Sequence, residues 1–155
     1  MGKIFVLDDA GIEDLLTNSL VGRIACAAPE INGGRPTIVP LAYGYDGEAA
    51  YAVGPVGQKI RIMRSQPLVS FEVDTAEAED RWQSAVAEGV YEELDSPESR
   101  EAGLNVIFGD RERPHIPDAH IVYRLRFTAK TGRFEVPDDE AWRYESNPSA
   151  TGTLG

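Results

Sequence analysis

Apolar and polar positions along this chain change period several times, and each change marks an element. Ile12, Leu15, Leu16 and Leu20 recur at helical spacing behind Asp8 and Asp9, whose carboxylates can cap a helix. The pattern predicts a short amphipathic helix ending near Gly22. From Arg23 to Ala28, and again from Pro36 to Tyr45, β-branched and aromatic residues dominate, and Asn32-Gly33-Gly34 between them is a turn signal, so the pair reads as a hairpin. Asp46-Gly47 makes a second tight turn into Glu48-Ala-Ala-Tyr-Ala-Val53, a third strand expected to continue an antiparallel meander. Val56, Ile60 and Met63 then fall at i, i+4 and i+7, a helix stripe that leaves Arg61 and Arg64 in water and stops at Pro67.

Leu68 to Asp74 predicts a fourth strand and Trp82 to Leu94 a long fifth, separated by the acidic spacer Thr75-Ala-Glu-Ala-Glu-Asp80. Ser96 as cap and Pro97 at the first helical position predict a helix running to about Phe108. Ile121 to Thr128 and Gly132 to Val136 read as a last hairpin turning at Lys130-Thr131-Gly132. Six or seven strands with short antiparallel connections, and helices over the open ends, give a mainly β fold: a small antiparallel β-barrel with flanking helices. The runner-up is α+β sheet packing. A doubly wound α/β fold is disfavoured because turns alone separate the first three strands.

At 155 residues the chain fits one domain with a substantial core, expected over residues 1–143. The Ser-, Gly- and Thr-rich stretch 144–155 is expected to be a disordered tail. The single Cys26 cannot form an internal disulfide and sits in an apolar strand, so it reads as a core thiol in a reducing, cytoplasmic setting. No apolar run approaches the roughly 20 residues of a membrane span. With formal charge −11 the surface should repel nucleic-acid backbones, although a local seat for a small phosphate is compatible with it.

Such a seat is visible at Gly54-Pro-Val-Gly-Gln-Lys59. A glycine turn feeding a helix leaves backbone N–H groups unpaired and aims the positive end of the helix dipole at whatever sits there, and Lys59 adds a full charge. The spacing is neither that of a P-loop nor that of a dinucleotide fingerprint. Upstream, Pro40 interrupts Thr37-Ile-Val-Pro-Leu-Ala-Tyr43 and cannot donate to a ladder, which implies either an edge strand or a bulge with free backbone groups nearby. Trp82-Gln83-Ser84 opens the fifth strand with an aromatic and two hydrogen-bonding side chains that must alternate between faces.

The ordered set of Gly22-Arg-Ile-Ala25, Ile38-Val-Pro-Leu-Ala-Tyr43, Tyr51-Ala-Val-Gly-Pro-Val-Gly-Gln-Lys59, Pro67-Leu-Val-Ser-Phe-Glu-Val73 and Trp82-Gln-Ser-Ala-Val86 resembles the FMN-binding split β-barrels of the pyridoxamine 5'-phosphate oxidase-like superfamily. Its small flavin and nitroreductase-like members are the nearest in pattern. The resemblance implies a homodimer with FMN in a groove at the interface. It implies that Lys59, with the backbone at Gly57 and Gln58, holds the 5'-phosphate. Val39, Pro40, Leu41 and Ala42 would line the isoalloxazine edge, and Tyr51, Ala52 and Val53 would lie beside the ring and ribityl chain. Trp82, Gln83 and Ser84 would complete the pocket, from the second subunit if need be.

The segment Ala52-Val-Gly54 lacks the histidine that nitroimidazole-reductase-like members often carry there, and Ala141-Trp-Arg-Tyr144 lacks the substrate-binding arginine and histidine pattern of the pyridoxamine phosphate oxidase itself. His115 and His120 are the only histidines, so a zinc site is not expected. The acids Glu92, Glu93, Asp95, Glu98 and Glu101 read as a solvated face. The expected function is flavin-dependent transfer of hydride or electrons from NAD(P)H to a small acceptor, with the catalytic side chains unassigned. The alternatives are a flavin-storing module without turnover and a reductase that uses deazaflavin F420, whose acidic tail would want Arg61 or Arg64.

Overall fold

In the computed structural model, residues 1–146 are described. They form β1 (Gly2–Val6), α1 (Asp9–Asn18), β2 (Val21–Cys26), β3 (Thr37–Ala42), β4 (Gly44–Tyr45), β5 (Ala49–Gly54), α2 (Gln58–Ser65), β6 (Leu68–Ala78), β7 (Arg81–Glu93), α3 (Pro97–Phe108), β8 (Ile121–Pro137) and the short α4 (Trp142–Glu145). One sheet holds all eight strands in the order β3-β2-β6-β7-β8-β5-β4, with β1 added beside β8. Every pairing is antiparallel. Strand β8 is the spine: β7 runs along one edge, while β5 pairs with its first part and β1 with its last.

The local grammar explains most of these elements. The Asp8 carboxylate accepts from the Gly11 N–H at 2.8 Å and starts α1. Ser19 ends it, because its N–H and its hydroxyl both donate to the Leu15 carbonyl. Ser96 caps α3 with Pro97 in the first turn, and Gly109 stops it at positive φ. Strand β5 is buried on both faces, since Ala50 and Ala52 enter the barrel core while Ala49 and Tyr51 join Leu104, Ile107 and Val122 beneath α3. That double burial is why its sequence reads as a continuous apolar run rather than an alternation.

Several expectations are corrected. Helix α1 stops at Asn18, and Leu20 lies outside it, 78% exposed. Val56 is likewise outside α2, whose buried residues are Ile60, Ile62 and Met63. The first strands are not one meander: β3 pairs with β2 and β4 with β5, at opposite ends of the sheet. The acidic spacer is mostly strand, because β6 continues to Ala78 and only Glu79 and Asp80 make the turn.

The expected final hairpin is the single 17-residue β8. Lys130, Thr131 and Gly132 pair in register with Ala87, Val86 and Ala85. Gly132 is there for close approach: a Cβ on it would meet Ile12 Cγ1 at 2.8 Å and Leu7 Cβ at 2.9 Å. Lys130 is held by Glu13 at 2.6 Å, the Tyr45 hydroxyl at 2.6 Å and the Gly47 carbonyl at 2.9 Å. Strand β1 had no counterpart in the sequence pattern. Tyr144 is also ordered, its ring 5.0 Å from Phe134 and 5.6 Å from Phe5; the rest of the expected tail, 147–155, lies outside the described residues.

Candidate functional site

The sheet is split at Tyr43. The β4–β5 ladder sets Gly44 against Tyr51 and Tyr45 against Ala50. Carried back in the same register it would pair Ala42 with Val53 and Leu41 with Gly54, but those pairs do not form. Instead the chain turns away at Tyr43, and β3 pairs only with β2. Tyr43 is pinned there: its N–H donates to the Leu20 carbonyl, its hydroxyl to the Leu16 carbonyl, and its ring meets Phe71 edge-on at 4.9 Å. The split leaves the outer edge of Val39, Pro40, Leu41 and Ala42 without a strand partner, and Val53 and Gly54 unpaired on the side facing it. Pro40 therefore stands on an edge strand, opposite Arg23, where its missing N–H costs no ladder bond.

Beyond Gly54 the chain turns into α2. Gly57 is the N-cap and no side chain caps it, so the N–H groups of Gln58, Lys59 and Ile60 end the helix without a partner. A Cβ on Gly54 or Gly57 would meet nothing within 4 Å, so the space over the turn is open. Lys59 is half-buried, and among the described residues it has neither an ion pair nor a hydrogen-bond partner. Its charge reaches Cys26: burial pushes the thiol pKa up, and Lys59 opposes that shift. Cys26 itself is 4% exposed and part of the core.

Trp82, Gln83 and Ser84 lie elsewhere. They pair with Glu135, Phe134 and Arg133 near the end of β8, whereas Tyr51 and Val53 pair with Arg124 and Val122 near its start. Eleven residues of strand between Arg124 and Glu135 span about 36 Å. One subunit thus separates Trp82 to Ser84 from Tyr51 to Val53 along β8, while Pro40 lies in one ladder row with Arg23, Glu72 and Val86, two positions from Ser84. The indole N–H of Trp82 donates to Glu135 Oε2 at 2.6 Å.

The acids expected to be a solvated face are in part tied down. Glu92 pairs with Arg124 at 3.1 Å and Arg126 at 3.0 Å, Glu101 with Arg113 at 2.9 Å, and Glu93 with Arg64 and the Tyr91 hydroxyl. The ion pairs were invisible in the sequence because their partners are 12 to 34 positions apart. Among the described residues, no group of three or more His, Cys, Asp or Glu side chains is arranged to hold a metal ion. Nor is any helix long and apolar enough to cross a membrane.

Burial pushes the Tyr43 phenol up to about 12, and it does the same to Tyr45, against the opposing hydrogen bond from Lys130. A phenol with a raised folded-state pKa contributes stability that is complete below its ordinary value of 10.0 and is lost as pH climbs through about 12. Denaturant midpoints should therefore hold through neutral pH and fall steeply between pH 10 and 12. The double variant Tyr43→Phe/Tyr45→Phe should flatten that limb, and an unchanged slope would contradict the assignment.

A family model described as pyridoxamine 5'-phosphate oxidase matches residues 8–134, most of the chain. The chain belongs to the pyridoxamine 5'-phosphate oxidase family. A solved FAD-binding protein from Mesorhizobium loti is 30% identical, with a TM-score of 0.71 over 84% of this chain and 97% of that one. An F420 reductase shares the fold at 23% identity, with a TM-score of 0.55 over 76% of this chain and 94% of that one. An uncharacterized protein of Rhizobium meliloti (strain 1021) is 36% identical over 74 residues, which is 48% of this chain and 46% of that protein. The fold is accordingly the split barrel of this family: an antiparallel sheet, opened at Tyr43, with flanking helices.

Proposed function

We propose that this chain is a homodimeric flavin-binding protein that seats FMN at the split and transfers hydride or electrons from NAD(P)H to a small acceptor. The observation that carries the reading is Lys59. A half-buried cation without a partner among the described residues, at an uncapped helix start under open space, is the arrangement a phosphate dianion neutralises. The residues present fit the cofactor. Lys59 and the N–H groups of Gln58 and Lys59 would hold its phosphate, and the free edges of Val39 to Ala42 and of Val53 and Gly54, with Tyr51 and Ala52 beside them, would receive its ring and ribityl chain. When bound, FMN supplies the redox chemistry; the protein supplies binding and orientation. The FAD-binding M. loti relative supports a flavin-type ligand.

The same geometry supports the homodimer reading. Trp82, Gln83 and Ser84 lie about 36 Å of strand away from the Tyr51 to Val53 segment, so a second copy would deliver them to it. The sheet face that carries Trp82 and Ser84 also leaves Val21, Ile38, Leu68 and Val86 between 41% and 70% exposed on one surface. That apolar face is the surface on which the copies would meet. The protein would work in the cytoplasm.

Lys59→Ala should weaken FMN by more than tenfold, since a lost charged contact costs about 1.5–3 kcal/mol. FMN fluorescence quenching on titration reads it, and an unchanged affinity would remove Lys59 from the site. Arg61, exposed and without a partner among the described residues, favours F420 as the second reading, whereas Arg64 is already engaged by Glu93. Tighter binding of F420 than of FMN would select it. Tight FMN with no NAD(P)H oxidation would identify a storage module.

A further inference from the structure

Acids outnumber bases in this chain, 26 Asp and Glu against 15 Lys and Arg, so an unpaired cation needs a reason. Among the described residues, Arg35, Lys59, Arg61 and Arg133 are the cations with neither an ion pair nor a hydrogen bond. Arg133 differs from the other three in its surroundings. It stands directly opposite Ser84 on β7 and Val6 on β1, and it lines a hollow of about 130 Å³ with Trp82, Ser84, Val86, Thr131 and Gly132. Paired residues share a face, so Trp82 with Glu135, Ser84 with Arg133, and Val86 with Thr131 form three successive rows on one surface.

The acids nearby on this surface make other contacts than with Arg133. Glu135 takes the Trp82 indole N–H on one oxygen and the Gly2 N–H at 2.9 Å on the other. Asp74, next to Ser84 on β6, is paired with Arg23. Arg133, with no ion pair or hydrogen bond among the described residues, lines a hollow with an indole, two hydroxyls and no carboxylate in its wall.

We infer that this hollow is a binding site for a small planar aromatic carboxylate, held by Arg133 with Ser84 and Thr131 and flanked by Trp82. A guanidinium matches a carboxylate with two parallel hydrogen bonds, and an aromatic ring gains contact area on an indole. The volume selects the size. At about 130 Å³, a little under the roughly 150 Å³ of a cavity that takes benzene, the hollow receives at most one ring, with the carboxylate at its Arg133 rim, and excludes a three-ring flavin. Binding itself does not depend on the flavin reading. Its consequence does: if a partner's Trp82 to Ser84 completes the cofactor groove, Arg133 arrives beside them, and the carboxylate is bound next to the cofactor.

The test uses the full chain carrying Trp142→Phe, which leaves Trp82 as the only indole and hence the reporter. Titrated benzoate should change the Trp82 emission saturably, and the neutral isostere benzamide should not. Arg133→Ala should weaken benzoate at least tenfold while FMN affinity stays within twofold, and Arg133→Lys should recover only part, because a point charge lacks the fork. Equal benzoate binding by wild type and Arg133→Ala overturns the site. So does loss of FMN rather than benzoate, which would make Arg133 a cofactor contact. Arg133-dependent benzoate binding in a protein that never binds FMN would uphold the site and refute the flavin reading.

Discussion

Phe71→Ala is expected to lower the unfolding free energy by about 3–5 kcal/mol, the range for removing a buried aromatic ring. Phe71 is 1% exposed and stacks on Phe127 at 5.6 Å, so it joins β6 to β8 across the interior. It also supports the Tyr43 ring, and Tyr43 is the residue at which the sheet splits. The loss should therefore appear in the site as well as in the core, as weaker ligand binding without any change at Lys59. Gly22 supplies an internal check. A Cβ there would lie 2.2 Å from Phe71 Cζ, so Gly22→Ala alone should destabilise by overpacking. In the Phe71→Ala background the same methyl enters the vacated space, and the double variant should be more stable than the two single losses added together. Urea midpoints at constant m would read all three variants; simple additivity would show that the ring and the glycine are not in contact.

What could be read from the sequence depended on whether the cause was local. The bounds of α3 follow from Ser96, Pro97 and Gly109, three residues acting on their own backbone, and the pattern placed that helix correctly. The ends of α1 and α2 were placed too widely because Leu20 and Val56 matched the spacing while the backbone had already turned. Gly132 misled for the same reason in reverse. Next to Lys130-Thr131 it looks like a turn glycine, whereas it admits Leu7 and Ile12 to a straight strand. Strand β1 exists because the far end of β8 offers it a ladder, and Ile4 and Val6 are each 54% exposed, so no buried alternation announced it.

The candidate site divides along the same line. The glycine turn, Lys59 and Pro40 were legible because uncapped N–H groups, a full charge and a missing donor are properties of the residues themselves. The separation of Trp82 from Tyr51 was not, since it is set by where β5 and β7 meet β8. Arg133 left no trace at all in the pattern. Its interest lies in the partners it lacks, and these can be counted only once Glu135 and Asp74 are seen to be engaged.

Gly44→Ala should be the most damaging single methyl in the barrel. A Cβ on Gly44 would lie 2.3 Å from the Val106 carbonyl oxygen and 2.7 Å from Ile107 Cα, and both are backbone atoms of a packed helix that cannot rotate aside. Either α3 lifts off the sheet or β4 leaves β5. Both routes disturb the small core of Ala49, Tyr51, Leu104, Ile107 and Val122, and both move the strand that defines the split. The expected cost is about 3 kcal/mol, the upper part of the range for overpacking. Gly57→Ala is the matched control for stability, because its φ is −118° and a methyl there meets nothing within 4 Å. It should change the denaturant midpoint little and act only on ligand binding. Hydrogen exchange separates the two routes: faster exchange confined to α3 means the helix has lifted, while faster exchange in β4 and β5 means the ladder has opened. Native protection in both elements of Gly44→Ala would mean that the helix and strand are not packed backbone to backbone at this position.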